Sequence, residues 1–332
     1  MSAAGPSDAA PARCSVLARE AGEPLAGTAP RARAWLVLEQ PGPYGFRALT
    51  TSHLPAEVRE VLGSLPKDSG TTVLLGRPVG HHADDRAVVD GRRFWFAHVS
   101  PGGVRMRAGH LDDAELLRPD LVDVLAGAAR GELPPWGSRV TDPLLLVCTN
   151  ARRDICCALE GRPVAESLAA DPAYAGRVLE VSHLGGHRFA PTALLLPSGH
   201  SFGRLDAASA RALLDGALVG EIGALAHHRG RTALAQPAQA AETAVRAATG
   251  ILGLDDLDAL RDVSGRAVPA GLRWAGEDGV AVVQVRHRDG RAWRVEVSRA
   301  TLPEPKPESC GKRAVDAHVW VAGTPERIAD WS

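Results

Sequence analysis

Apolar residues fall in short runs that alternate with helical periodicity. Trp35, Leu36, Val37 and Leu38 are consecutive, which predicts a strand buried on both faces. A loop rich in Pro and Gly (Pro41, Gly42, Pro43, Gly45) follows, then a helical pattern over residues 55–65. Three strand signals come next, at 71–75, 93–99 and 104–107, and Asp112 stands where it could cap an amphipathic helix through Leu116, Leu117 and Leu121. Segment 131–137, with Pro134, Pro135 and Gly137, breaks the pattern. The order then starts again. An apolar strand at 144–147 leads through a loop at Arg153 to a helix at 158–169 and a strand at 178–181. Strand signals at 193–196 and 201–205 precede a helix at 207–218 capped by Asp206.

Gly109-His110-Leu111-Asp112, before the first closing helix, parallels Gly203-Arg204-Leu205-Asp206 before the second. The pattern therefore predicts an internal duplication of one α/β plan. Strand, helix, strand, two antiparallel strands and a closing helix is the order of a thioredoxin-like unit, whose first loop is the usual seat of chemistry. The expected fold class is α/β (α+β). The expected organisation is a disordered lead at 1–30, a degenerate thioredoxin-like domain at 31–130, a second thioredoxin-like domain at 141–225, and a small α+β segment with a tail at 235–332. In that last segment an Ala-rich linker near 233–241 leads to helices at 241–252 and 254–260. A hairpin follows, of strands 281–285 and 293–297, and its turn carries Asp289-Gly290. Pro303, Pro305 and Pro307 predict an extended linker into the tail ending Asp330-Trp331-Ser332.

Composition narrows the function. The 332 residues carry 38 basic and 39 acidic side chains, for a net charge of −1. There is no basic field to grip a polyanion, so nucleic acid is not an expected partner. The apolar runs are strand-sized, well below the ~20 residues of a membrane helix, and the first residues lack the cationic and apolar regions of a secretory signal. A soluble, cytoplasmic protein is expected. Five cysteines, Cys14, Cys148, Cys156, Cys157 and Cys310, are too few and odd in number for a disulfide framework.

Three of the five crowd into one loop. Cys148 ends a predicted strand, whereas Cys156 and Cys157 stand at the start of a helix, where the helix N-terminus, Arg152 and Arg153 favour thiolates. Downstream, His183-Leu184-Gly185-Gly186-His187 follows the next strand, and the paired glycines predict a sharp turn that lets both imidazoles face one object. A lone Cys or His is ordinarily a core or surface residue. Two thiols flanking one loop and a close His pair in the neighbouring loop together point to a metal centre. Zinc is one candidate, although structural zinc pairs ordinarily stand two to four residues apart. Iron–sulfur clusters accept wider spacing.

These motifs resemble the sucrase/ferredoxin-like family. The resemblance rests on Cys148 to Cys157 with Arg153-Asp154-Ile155 between, on His183-Leu184-Gly185-Gly186-His187-Arg188-Phe189-Ala190, and on Leu196-Pro197 with Gly203-Arg204-Leu205. It covers about residues 141–206. It implies a thioredoxin-like ferredoxin whose [2Fe–2S] cluster is held by Cys148, Cys157, His183 and His187, with a reductase or another redox protein as partner. Cys156 leaves a choice of register open, with Cys157 preferred. Cys14 and Cys310, distant in sequence, are expected to be inert. No carboxylate pair suits glycoside hydrolysis.

The implied ligand set has a physical consequence. Two ferric ions, two sulfides, two thiolates and two neutral imidazoles sum to zero charge, against −2 with four thiolates. The potential should lie nearer the Rieske range, ~−150 to +300 mV, than that of plant-type ferredoxins, and electron uptake should be coupled to proton uptake at the imidazoles. Arg188 could stabilise the reduced state or guide an acidic partner.

Two rival readings remain. Gly199-His200-Ser201-Phe202-Gly203 matches the nucleophile elbow of α/β-hydrolases, with Ser201 as nucleophile, although Pro197, Asp206 and the order of His287 and Asp289 fit it poorly. The other is a zinc-filled, non-redox version of the Cys/His pocket. The pairs His81-His82, beside Asp84-Asp85, and His227-His228 are read as loop residues that bind metal weakly at most.

Overall fold

The computed structural model describes residues 13–66, 68–83, 88, 91–261 and 280–329. The first half contains α1 (Cys14–Glu20), β1 (Ala34–Glu39), α2 (Ala48–Thr51), α3 (Ala56–Ser64), β2 (Thr71–Pro78), β3 (Arg92–His98), β4 (Arg105–Leu111), α4 (Asp113–Leu116), α5 (Leu121–Ala129) and β5 (Ser138–Val140). The second contains β6 (Leu144–Cys148), α6 (Ile155–Ala169), β7 (Val178–Val181), β8 (Ala193–Leu196), β9 (His200–Phe202), α7 (Ala207–Leu218) and β10 (His228–Arg231). The C-terminal part has α8 (Gln236–Thr249), β11 (Leu257–Arg261), β12 (Val280–His287), β13 (Ala292–Thr301), β14 (His318–Ala322) and β15 (Glu326–Ile328).

A mixed sheet of ten strands, in the order β10-β9-β8-β6-β7-β2-β1-β3-β4-β5, carries the fold, and a separate five-stranded sheet is built from β11 to β15. Read outward from the β7–β2 seam, the two halves repeat one arrangement. Each begins with a parallel pair (β7 with β6, β2 with β1) and continues through three antiparallel partners. Helix α6 connects the parallel pair of one half as α3 does that of the other. At the seam Gly76, Arg77 and Pro78 pair antiparallel with Val181, Glu180 and Leu179.

Apolar strands lie where both sheet faces are covered. Every residue of β6 is buried, between a cluster holding Trp35, Val37, Leu146 and Val181 on one face and one holding Val147, Val164, Leu168 and Leu213 on the other. Such two-sided burial explains the uninterrupted apolar run of this strand.

Several expectations need correction. The lead expected through residue 30 is structured from residue 13: α1 buries Cys14 and Ala18, and Glu23 is fully enclosed. The helix expected beyond Asp112 is two helices, because Pro119 lacks the N–H that a continuous helix would use, and Asp112 makes no side-chain cap. Asp206 does cap α7, in a reciprocal capping box with Ser209. The Ala-rich linker belongs to α8, which starts at Gln236 with Pro237 in its first turn. Residues 254–260 hold no helix; β11 pairs there with β12. The edge strands β5 and β10 are too short and polar to show a period. The tail Asp330-Trp331-Ser332 lies outside the described residues.

Candidate metal centre

The loop after β6 and the loop after β7 leave adjacent parallel strands at their carboxyl ends, so their first residues emerge side by side. Asn150 shapes the first loop: its side chain accepts from the Arg152 N–H at 3.1 Å and donates to the Gly45 carbonyl at 3.0 Å. Asp154 then caps α6 by accepting from the Cys156 N–H at 2.9 Å. The helix packs closely on its strand at Gly161, where an added Cβ would come within 2.5 Å of the Cys148 carbonyl oxygen. In the second loop Gly185 and Gly186 have φ of +76° and +73°, as the predicted sharp turn requires.

Cys148, Cys157, His183 and His187 come together at these loops. The two imidazoles stack with centroids 4.7 Å apart, and His187 Nδ1 lies 3.3 Å from Cys157 Sγ. The Cys157 thiol donates to Cys148, which holds Cys148 well below the ordinary thiol range with help from His183 despite burial. The same contact, together with burial, pushes Cys157 well up. Burial lowers His187 to about 4, so its ring is neutral at neutral pH. His183 is half-buried, and its Nδ1 is enclosed with no hydrogen-bond partner. Two sulfurs and two imidazoles, one of them with a buried nitrogen that has no partner, form a donor set suited to a soft or borderline metal.

Cys156 faces elsewhere. Consecutive helix positions diverge by about 100°, and Cys156 Sγ meets Cys14 Sγ at 3.7 Å and Cys310 Sγ at 3.3 Å. Cys310 Sγ and Cys14 Sγ are 3.6 Å apart, and Asp154 lies beside them, its Oδ2 3.6 Å and Oδ1 3.8 Å from Cys14 Sγ. Cys14 and Cys310, distant in sequence, are therefore not distant in the fold: both adjoin the residue next to Cys157. The Cys14 thiol donates to Cys156 and holds it down to about 6, despite burial. Burial pushes Cys310 up to about 11.

Arg188 pairs with the buried Glu23 at 2.9 Å, and Lys306 also contacts that carboxylate, so Arg188 is committed within the protein. The cation that sequence reading missed is Arg229. It is buried, donates to the Gly185 carbonyl at 3.2 Å and contacts the Thr28 carbonyl. Burial and the neighbouring Arg188 lower it to about 9, against the opposing pull of Cys148 and Cys157. No periodicity marks this residue, because it lies on the short strand β10. Helix α6 begins at Ile155, three residues before the expected start at 158, and Asp154 immediately before it is a residue type that favours a cap.

The rival hydrolase site is not formed. Ser201 is buried within β9 and its hydroxyl donates to the Ala193 carbonyl at 3.3 Å, with no turn into a helix at that point. His228 is no loop residue: it is buried in β10, with Nε2 2.9 Å from His200 Nδ1. His81 and His82 lie in a single 3-10 turn, and Asp84 and Asp85 fall outside the described residues. Among the described residues, no helix is long and apolar enough to cross a membrane.

A sequence model of the sucrase/ferredoxin-like family matches residues 25–230, so the match extends beyond the motif region into the first half of the large sheet. Neither the curated proteins nor the solved structures compared with the chain gave a match.

Proposed function

We propose, on the premise that the chain belongs to the sucrase/ferredoxin-like family, that Cys148, Cys157, His183 and His187 hold a [2Fe–2S] cluster and that the protein is a cytoplasmic electron carrier. The two matching halves of the large sheet are read, in the same proposal, as thioredoxin-like units at 31–130 and 141–225, the second bearing the cluster. The observation that carries the reading is the convergence of two thiols and two imidazoles from adjacent loops, with the buried Nδ1 of His183 unpartnered.

When bound, such a cluster supplies a one-electron couple. The chain's own residues set its terms. Cys148 and Cys157 supply two negative charges and the imidazoles none, a total that favours electron uptake relative to four thiolates. An imidazole bound through one ring nitrogen keeps an N–H on the other, and ferric iron would acidify it, so that a proton lost at alkaline pH is regained on reduction. Arg229, behind Gly185, adds buried positive charge near the two sulfurs. The partner is a second redox protein, a reductase or an electron acceptor. Five free cysteines suit a reducing compartment.

Anaerobic purification or reconstitution, followed by iron and sulfide analysis, visible absorption and EPR of the reduced protein, tests the reading. Two irons and two sulfides per chain with a rhombic reduced signal are expected. A colourless chain with zinc bound to Cys148 and Cys157 would overturn it.

A further inference from the structure

We propose that Cys14, Cys156, Cys310 and Asp154 bind a single zinc ion, separate from the Cys148, Cys157, His183 and His187 centre. The four donor atoms lie within 4.8 Å of one another although the residues come from three remote parts of the chain. Their distances fit one tetrahedral ion. Zn–S bonds of ~2.3 Å and a Zn–O bond of ~2.0 Å give S···S edges of ~3.8 Å and S···O edges of ~3.5 Å. The three S···S edges are 3.7, 3.3 and 3.6 Å, and Asp154 Oδ2 is 3.6 Å from Cys14 Sγ. A disulfide would use two of these sulfurs and leave the third unexplained. In an iron–sulfur cluster, thiolates on different irons stand farther apart than this, so three in mutual contact suit a mononuclear site.

The surroundings are those of a built site. Ser309 Oγ and the Cys310 N–H hold Asp154 Oδ2 at 2.7 and 2.9 Å, and the Cys156 N–H holds Oδ1 at 2.9 Å, so the carboxylate is fixed in orientation. The Cys14 N–H points to Cys310 Sγ at 3.5 Å. Zinc binding displaces the thiol protons to solvent. Three thiolates, one carboxylate and Zn2+ sum to −2, the same as a four-cysteine zinc site, and the charge stands at the N-terminus of the 15-residue helix α6. The ion would tie α1, the start of α6 and the C-terminal segment to one point. Because Cys156 adjoins Cys157, it would also fix the turn from which Cys157 projects.

Metal analysis of the full-length chain, grown with zinc and iron, tests this. One zinc per chain is expected to remain in Cys148→Ser, which loses iron and colour, and to fall at least fivefold in Cys310→Ser, which keeps its iron. Iron content reports on the electron-carrier reading and zinc on this one, so either can fail alone. Zinc that disappears with Cys148→Ser and persists in Cys310→Ser would overturn the proposal. Alkylation of the native wild-type chain needs no variant: protection of Cys14, Cys156 and Cys310 that is lost on chelation supports the site. Equal alkylation of these three cysteines before and after chelation would overturn it.

Discussion

Arg77 and Glu180 face each other in register across the seam where the two halves of the large sheet join, with Arg77 Nη2 2.7 Å from Glu180 Oε2 and both side chains buried. The pair is fully partnered. Thr149, next to Cys148, donates to the same Glu180 oxygen at 2.9 Å, and the Arg77 guanidinium lies 4.1 Å over the Tyr44 ring. The Tyr44 hydroxyl in turn donates to the Glu180 carbonyl at 2.8 Å. Removing one charge strands the other in a low-dielectric seam, a loss of about 3–5 kcal/mol. Arg77→Met is therefore expected to lower the urea midpoint sharply, and Arg77→Met with Glu180→Leu to recover most of the loss. Equal loss in the single and double variants would show that packing, not stranded charge, governs the seam.

Acid should loosen the β10 edge of the sheet. His200 and His228 share a hydrogen bond in a buried setting, and burial, with nearby arginines, lowers both, His228 to about 3. An unfolded His titrates near ~6.5, so the folded state resists protonation. Stability is complete above that value and is lost as pH falls toward the folded values, by ~1.4 kcal/mol per pH unit for each such group. Urea unfolding between pH 8 and 4 should show this slope, and His228→Gln should flatten it. An unchanged slope in the variant would assign acid sensitivity to other groups.

The central strands and the repeated α/β order were legible because β1, β6 and β8 are buried on both faces and carry unbroken apolar runs. The Cys/His convergence was legible for a local reason: Cys148, Cys157, His183 and His187 follow two adjacent strands, so sequence order predicts their proximity. Cys14 and Cys310 were illegible, because each meets Cys156 only through tertiary packing more than a hundred residues away. Arg229 was hidden in a strand of four residues with no period to read. Residues 254–260 misled because Leu254, Leu257 and Leu260 match a helical period, whereas pairing with β12 decides the outcome.

Exchange of one imidazole for a thiolate offers a direct probe of the electron-carrier reading. His187→Cys replaces a neutral donor by an anionic one, which disfavours electron uptake. The potential should drop from the Rieske-like range toward the ~−400 mV of plant-type ferredoxins while visible colour is retained. Spectroelectrochemical titration at several pH values measures both the shift and its proton coupling. The wild-type potential should fall as pH rises between 6 and 10, and a pH-independent wild type would remove the proton coupling assigned to the ligating imidazoles.

The His-loop glycines separate backbone strain from packing. Both have positive φ, which costs a residue with a side chain about 1–2 kcal/mol. A Cβ on Gly185 would meet nothing within 4 Å, so Gly185→Ala should cost only that conformational penalty. A Cβ on Gly186 would stand 2.3 Å from Arg229 Nη2 and 3.1 Å from Phe189, so the guanidinium or the loop must move. Because Arg229 also donates to Gly185 and His187 follows Gly186 directly, that movement should reach the metal centre. Gly186→Ala is expected to lower thermal stability more than Gly185→Ala and, unlike it, to alter the EPR signal of the reduced protein. Indistinguishable effects of the two substitutions would mean that the Arg229 contact does not position the loop.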